Sequence, residues 1–336
     1  MPQVNGVVRT LSTVATELRS LGHVVEVVGP DRFRNIPCPT YPDIRLAIAP
    51  GRALSGLIAR FRPDALHIAT EGPLGWAARR WAIRHRARFT TSFHTRFPEY
   101  LQARFRIPPA LGYAVLRRFH GRGSAMLVAT PSLGEELRRR RFLNGRSWSR
   151  GVDLDKFRPE PRRDWEAEGH RRPVFLYVGR VAVEKNIEAF LSLDLPGSRI
   201  VVGDGPQRPS LTRRFPDAHF TGPLRDSELS AAFAGADAFV FPSLTDTFGL
   251  VVLEALACGV PVAAFDVTGP KDILGGATEC VGQAGPDLRA AALAALGADR
   301  AACRRHAERF GWRACAERFR DALVPLFETT ETPRRP

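Results

Sequence analysis

A chain of 336 residues with 44% hydrophobic content is long enough for two domains, each burying its own core. Its net charge of +14 sits in one half: residues 1–170 carry 29 Lys/Arg against 15 Asp/Glu, whereas 171–336 carry 20 of each. Five cysteines without a C-x-x-C spacing support neither a disulfide framework nor a zinc ribbon, eight histidines without an H-E-x-x-H pattern argue against a protein-borne metal, and no apolar run of about 18 residues spans a bilayer.

Residues 7–21 read as a helix, with Val7, Val8, Leu11, Val14, Ala15 and Leu18 at helical spacing and Gly22 in the C-cap position. VVEVV (24–28) reads as a short buried strand. Helix 51–61, strand 64–69, helix 74–86, strand 88–93, helix 109–121, strand 126–129 and helix 132–140 follow, a βα alternation that implies a parallel sheet. A βα domain begins with a strand, yet this chain opens on the loop and helix that should follow one, so the first strand is expected to be missing. Residues 158–172 (RPEPRRDWEAEGHRR) read as a linker. A second series then restarts with strand 173–178, helix 185–193, strand 199–202, helix 226–234, strand 237–241, helix 248–257 and strand 260–264. Amphipathic helices over 298–328 and a frayed tail over 329–336 close the chain. The expected division is 1–160, 161–300, and a helical segment 301–328 that packs back toward the first domain.

The strongest chemical signal is SLTDTFGLVVLEALACGVPV (243–262), which follows a strand and opens a helix. Phe248, Gly249 and Leu250 then stand at a helix N-terminus, where free N–H groups and the dipole favour an anion. Asp246 and Glu254 would lie about 8–12 Å apart along the axis, too far to flank one bond as a retaining hydrolase pair does, and suited to hydroxyls at opposite ends of an extended ligand. In YVGRVAVEKNIEAF (177–190) a strand ends at Gly179, and Arg180 and Lys185 occupy the loop beyond it, the side on which open α/β sheets bind ligands. The chain holds three lysines among 49 basic residues, and Lys185 is one of them. VVGDGP (201–206) places Gly203 at a third strand end of the same sheet. In the first half, PQVNGVV (2–8) offers Asn5 and Gly6 before a helix, TSFHTRFPEYL (91–101) puts His94 at a strand end, and HIATEGP (67–73) puts Glu71 at a neighbouring one.

Together these segments resemble glycosyltransferase family 4. PQVNGVVRTL, SFHTRFPEYL, WSRGVDLDKF (148–157) and TDTFGLVVLEA look like its lipid-directed subgroup, the mannosyltransferases of phosphatidylinositol or glycolipids and the sulfoquinovosyl-, glucosyl- and glucuronosyl-diacylglycerol synthases. The resemblance implies a GT-B fold, α/β in class, with two Rossmann-like domains facing each other across a cleft. It implies Arg180 and Lys185 on the donor diphosphate, Glu254 on the ribose and Gly6 facing the diphosphate. Asp246 with the backbone of Phe248, Gly249 and Leu250 would hold the sugar, and His94 would lie beside its reacting carbon. The sequence has Asp246 where the wider family has Glu, as this subgroup commonly does. A retaining, metal-independent transfer from a UDP- or GDP-sugar to a lipid such as diacylglycerol or a glycolipid is the expectation, with no cofactor. The alternatives are a GDP-mannose-dependent mannosyltransferase on a non-lipid glycan, and an inactive truncated homologue.

The basic first half suits an anionic bilayer surface. Arg80, Arg84 and Arg88 are spaced by four with Trp76 and Trp81 beside them, and RRFHGR (117–122) and RRRRF (138–142) add charge. The expected location is cytoplasmic, peripheral to the inner face of the plasma membrane, since the chain opens with polar and helical sequence in place of a basic cap and apolar run. A nucleic-acid partner is disfavoured because no helix-turn-helix, zinc-finger or RNA-binding sheet signature accompanies the charge.

Overall fold

The computed structural model describes residues 6–38 and 41–328. They divide into two compact units, one built from the chain up to Trp148 together with the residues from Ala316, the other from Ser149–Cys315.

The first unit runs α1 (Gly6–Ser20), β1 (Asn35–Cys38), β2 (Tyr41–Ala47), α2 (Gly51–Phe61), β3 (His67–Ile68), α3 (Pro73–Arg84), β4 (Thr90–Phe93), α4 (Phe97–Phe105), α5 (Pro109–His120), β5 (Ala125–Val128), α6 (Pro131–Arg139) and β6 (Gly145–Ser147). β3–β4–β5–β6 form a parallel sheet in chain order, and β1 and β2 pair separately as an antiparallel hairpin. The crossovers from β3 to β4, β4 to β5 and β5 to β6 are helical, so the C-terminal strand edge collects the strand-to-helix loops. α1 shows why its sequence is helical: Thr10, Val14, Ala15 and Leu18 recur at three and four and are its buried face. Gly22, at φ 88°, ends it in a conformation costly for any side chain.

The second unit runs β7 (Val174–Val178), a 3-10 turn (Val183–Lys185), α7 (Ile187–Leu191), β8 (Ser198–Val202), α8 (Arg208–Arg214), β9 (Ala218–Gly222), α9 (Asp226–Gly235), β10 (Ala238–Phe241), α10 (Leu250–Ala257), β11 (Val262–Phe265), α11 (Pro270–Gly275), β12 (Gly282–Gly285), α12 (Leu288–Ala295) and α13 (Arg300–Glu308). α14 (Trp312–Ala322) then carries the chain back into the first unit. Six parallel strands lie in the order β12–β11–β10–β7–β8–β9, the doubly wound arrangement in which the direction of winding reverses between β7 and β10. β7 is buried on both faces along its whole length, as helices on either side require.

Three expectations change. VVEVV (24–28) is not a strand: Val24 is 85% exposed, and no strand among the described residues pairs with it, so its backbone lacks the ladder that would make it one. Residues 158–172 are not a free linker, because Trp165 is fully buried and its indole N–H donates to the Ala232 carbonyl. Polar neighbours in sequence concealed an aromatic anchor. The boundary between the units falls at Trp148 rather than after 160, and α13 packs on α10 within the second unit rather than with the first. The proposed frayed tail, 329–336, lies outside the described residues.

α14 ties down the first sheet. Phe319 packs against His67 at 4.8 Å and against fully buried Trp148 at 5.0 Å, centroid to centroid. Phe319→Ala should destabilise the protein by about 3 kcal/mol, measured as a lowered urea midpoint with the change followed by Trp fluorescence.

Candidate functional site

The switch point of the six-stranded sheet gathers the second-unit motifs. β7 ends at Gly179, which adopts φ 154°, and its N–H donates to the Val202 carbonyl of β8. Gly203 at the end of β8 cannot carry a side chain: a Cβ there would lie 1.9 Å from the Gly179 carbonyl oxygen. The close approach that the sequence suggested is made by the protein's own backbone, one strand-end loop against the next. Arg180, about half exposed, follows, 3.9 Å from Glu184.

The β7 loop is stitched to the β10 loop. Asn186, at φ 52°, donates from Nδ2 to the Pro242 carbonyl at 3.1 Å, and the Ser243 and Thr245 hydroxyls each donate to the Glu184 carbonyl at 3.4 Å. Lys185 Nζ donates to both carboxylate oxygens of Asp246, at 2.7 and 2.8 Å. The two side chains expected to hold different parts of one ligand are therefore in direct contact. Each retains partial exposure. Burial, and then the nearby charges of Asp246 and Glu184, push the Tyr177 phenol well above its ordinary range, so Tyr177 stays a neutral donor to the Arg180 carbonyl at 3.0 Å.

Phe248 is buried, and its carbonyl lies where a Cβ of Gly269 would sit, 2.5 Å away. Gly249 caps α10 at φ 81°. Leu250 opens that helix, and Glu254 rides its next turn as a buried carboxylate at 4% exposure. Arg150, from the WSRGVDLDKF segment that the sequence offered only as a family signature, is fully buried, and desolvation pulls its guanidinium down to about 10.

In the first unit, β4 is buried at every position, including the polar residues Thr90, Thr91 and Ser92. His94 lies one residue past it at 8% exposure, its ring edge-on to Trp148 at 6.1 Å. Gly6 is the first residue of α1 rather than part of a loop before it, and its carbonyl accepts from the Thr10 hydroxyl at 2.8 Å. Asn5 lies outside the described residues. Sequence reasoning missed His120, read only as part of a basic run. It is completely buried and touches Glu71 and Thr91. The signal was available in its place at the end of an amphipathic helix, where a basic run and a core histidine overlap.

The profile of Glycosyltransferase Family 4 matches residues 4–156, and that of Glycosyl transferases group 1 matches 172–299. A GDP-mannose-dependent alpha-mannosyltransferase of Mycolicibacterium smegmatis is 34% identical over 82% of this chain and 79% of its own length. An alpha-monoglucosyldiacylglycerol synthase of Streptococcus pneumoniae is 26% identical over 78% of this chain and 68% of its own. Among solved structures, sucrose-phosphate synthase from Thermosynechococcus elongatus superposes with a TM-score of 0.71 at 21% identity, over 94% of this chain and 92% of that one.

The packing of strand ends yields a direct test. Gly203→Ala should destabilise the second unit by about 3 kcal/mol or more, because the added methyl meets backbone that cannot rotate away. Thermal unfolding of the variant checks it.

Proposed function

This chain belongs to glycosyltransferase family 4, and from that premise we propose that it moves a hexose or hexuronate from a UDP- or GDP-sugar to a lipid acceptor, with retention at the anomeric carbon and without a metal. That it is a glycosyltransferase of GT-B fold using a nucleotide-sugar is shown by the matches. The observation that carries the finer reading is the Lys185–Asp246 contact at the switch point, beside Arg180 and the N-terminus of α10.

An ammonium has three N–H donors. Two point at Asp246, which leaves the third for a phosphate oxygen, so Asp246 orients Lys185 while presenting its carboxylate edge to the sugar hydroxyls. Arg180 reaches the same diphosphate from the end of β7. Glu254, buried on α10, takes the ribose hydroxyls, and the free N–H groups of Phe248, Gly249 and Leu250 complete the sugar site. The two cations stabilise the charge that grows on the leaving diphosphate as the glycosidic bond breaks, and that group accepts the acceptor's proton. His94, at its strand end, borders the sugar. Gly6 takes the diphosphate side at the start of α1.

The surface of the first unit supports a lipid acceptor. Leu111 and Val115 on α5 are 61% and 54% exposed and share a face with Arg118 at helical spacing, and Arg122 follows in the turn after the helix. Arg80, Arg84, Arg117, Arg118 and Arg122 line a groove of about 700 Å³ between α3 and α5. Arg79 is spent on the carbonyls of Arg118 and Phe119. Burial, then repulsion by Arg118 and Arg122, lowers its pKa, which marks an uncompensated positive field. Exposed aliphatic side chains beside arginines that form no ion pair among the described residues match an anionic bilayer better than a nucleic acid. The expected stripe is trimmed: α3 stops at Arg84, and Arg88 instead gives its backbone N–H to the Leu326 carbonyl, while Trp76 and Trp81 pack on the core. No helix among the described residues is long and apolar enough to cross a membrane. The relative named for GDP-mannose supports that donor and mannosyl as the group moved, which is also the donor of the second reading, transfer to a non-lipid glycan.

A donor panel of UDP-glucose, UDP-glucuronate, UDP-sulfoquinovose and GDP-mannose, with diacylglycerol or phosphatidylinositol vesicles, tests the transfer. One donor should yield glycolipid, and Lys185→Ala and Arg180→Ala should each lower kcat about 100-fold with little change in KM. An unchanged kcat removes these residues from the diphosphate. In co-sedimentation, wild type should bind phosphatidylglycerol vesicles and release with salt, and Arg80→Glu with Arg118→Glu should weaken binding about tenfold or more. Equal retention on neutral and anionic vesicles defeats the membrane assignment.

A further inference from the structure

We infer that Glu71, held in place by His120, binds the hydroxyl of the acceptor that attacks the sugar. The inference rests on the transfer reading above and extends it to a residue outside the donor site.

The strand order places Glu71 at the sheet's edge. β3 and β4 are parallel neighbours, so Glu71, three residues past the end of β3, and His94, one past the end of β4, both follow the C-terminal edge of the sheet. His120 Nε2 lies 3.1 Å from Glu71 Oε1, with the two side chains 0% and 9% exposed. On its other side His120 Nδ1 lies 2.9 Å from the Thr91 hydroxyl. Either protonation state of the ring lets Nε2 donate to the carboxylate, since the hydroxyl can donate or accept.

The surroundings of His120 are aromatic, with Phe119, Phe93 and Phe142 at centroid distances of 5.0, 6.1 and 6.2 Å. A histidine and a glutamate are poor choices for filling such a space, because desolvating them costs more than packing aliphatic side chains. What the pair achieves is to hold one carboxylate beyond a strand end, at the same sheet edge as His94, the residue expected to border the sugar. A carboxylate there accepts a hydrogen bond from an attacking hydroxyl and aims its lone pair. The acceptor oxygen forms the new bond to the sugar carbon. The sugar–phosphate bond breaks with its electron pair on the nucleoside diphosphate, and the hydroxyl proton ends on that leaving group. Glu71 only accepts that hydrogen bond, so it positions the nucleophile and keeps no proton.

The test compares transfer with hydrolysis, in which water replaces the acceptor. The variants are Glu71→Gln, which keeps the shape and still accepts from His120, and His120→Gln, with thermal unfolding to confirm that both fold. The acceptors are diacylglycerol or phosphatidylinositol in phosphatidylcholine vesicles, and methyl α-mannoside. Glu71→Gln should lower kcat/KM for the acceptor about 10–100-fold while donor KM and acceptor-free nucleotide release stay within about twofold, and His120→Gln should show a weaker form of the same split. Transfer and hydrolysis falling together in a folded variant, or neither changing, overturns the inference and leaves the donor-site reading intact. A wild type that releases nucleotide from no donor overturns that reading and this inference with it.

Discussion

The reversal of strand order between β7 and β10 organises the chemistry of the second unit. On one side of the reversal the connections wind toward β9, on the other toward β12, so the loops leaving β7 and β10 diverge and open a crevice at their shared edge. The backbone there is under demand, which is why glycines cluster. A Cβ on Gly203 would collide with the Gly179 backbone and one on Gly179 would crowd the Tyr177 ring, and Gly249 turns the chain into α10. The Lys185–Asp246 pair and the Asn186–Pro242 hydrogen bond span the divergence and convert two loops into one rigid rim. Partial exposure and solvent screening keep the pair's own contribution to stability modest, so its value lies in orientation.

The first unit uses a different device. Its central strand, β4, carries Thr90, Thr91 and Ser92 in positions that a doubly covered parallel strand usually fills with aliphatic residues. Each polar side chain is satisfied. His67 bridges Thr90 and Ser92 on one face, both at 2.8 Å, and His120 meets Thr91 on the other. Alternation along the strand sorts the three residues to the two faces, and the two histidines come from neighbouring elements that only the fold brings there. Aromatic rings of Phe319 and Trp148 then close over this network on the side of His94.

Much of this was legible from residues alone, for identifiable reasons. Helices such as α1, α2, α3, α5 and α14 have amphipathic spacing, and strands β7, β8, β10 and β11 are short apolar runs bounded by turns, so both appear at or near their expected positions. β9 (AHFTG) and β12 (GQAG) have no such run, because edge-of-sheet pairing rather than composition makes them strands. The hairpin β1–β2 was equally silent, and VVEVV advertised a strand that nothing among the described residues pairs with.

The sequence by itself determined the fold class, the family, and which residue types occupy the strand ends, since glycines, cations and carboxylates at fixed spacing behind apolar runs can be read without coordinates. Only the tertiary structure decided which of them meet. Lys185 and Asp246 are 61 residues apart and Glu71 and His120 are 49 apart. Separations of that size carry no periodic signal, because the contact depends on which strands become neighbours and not on the residues between them.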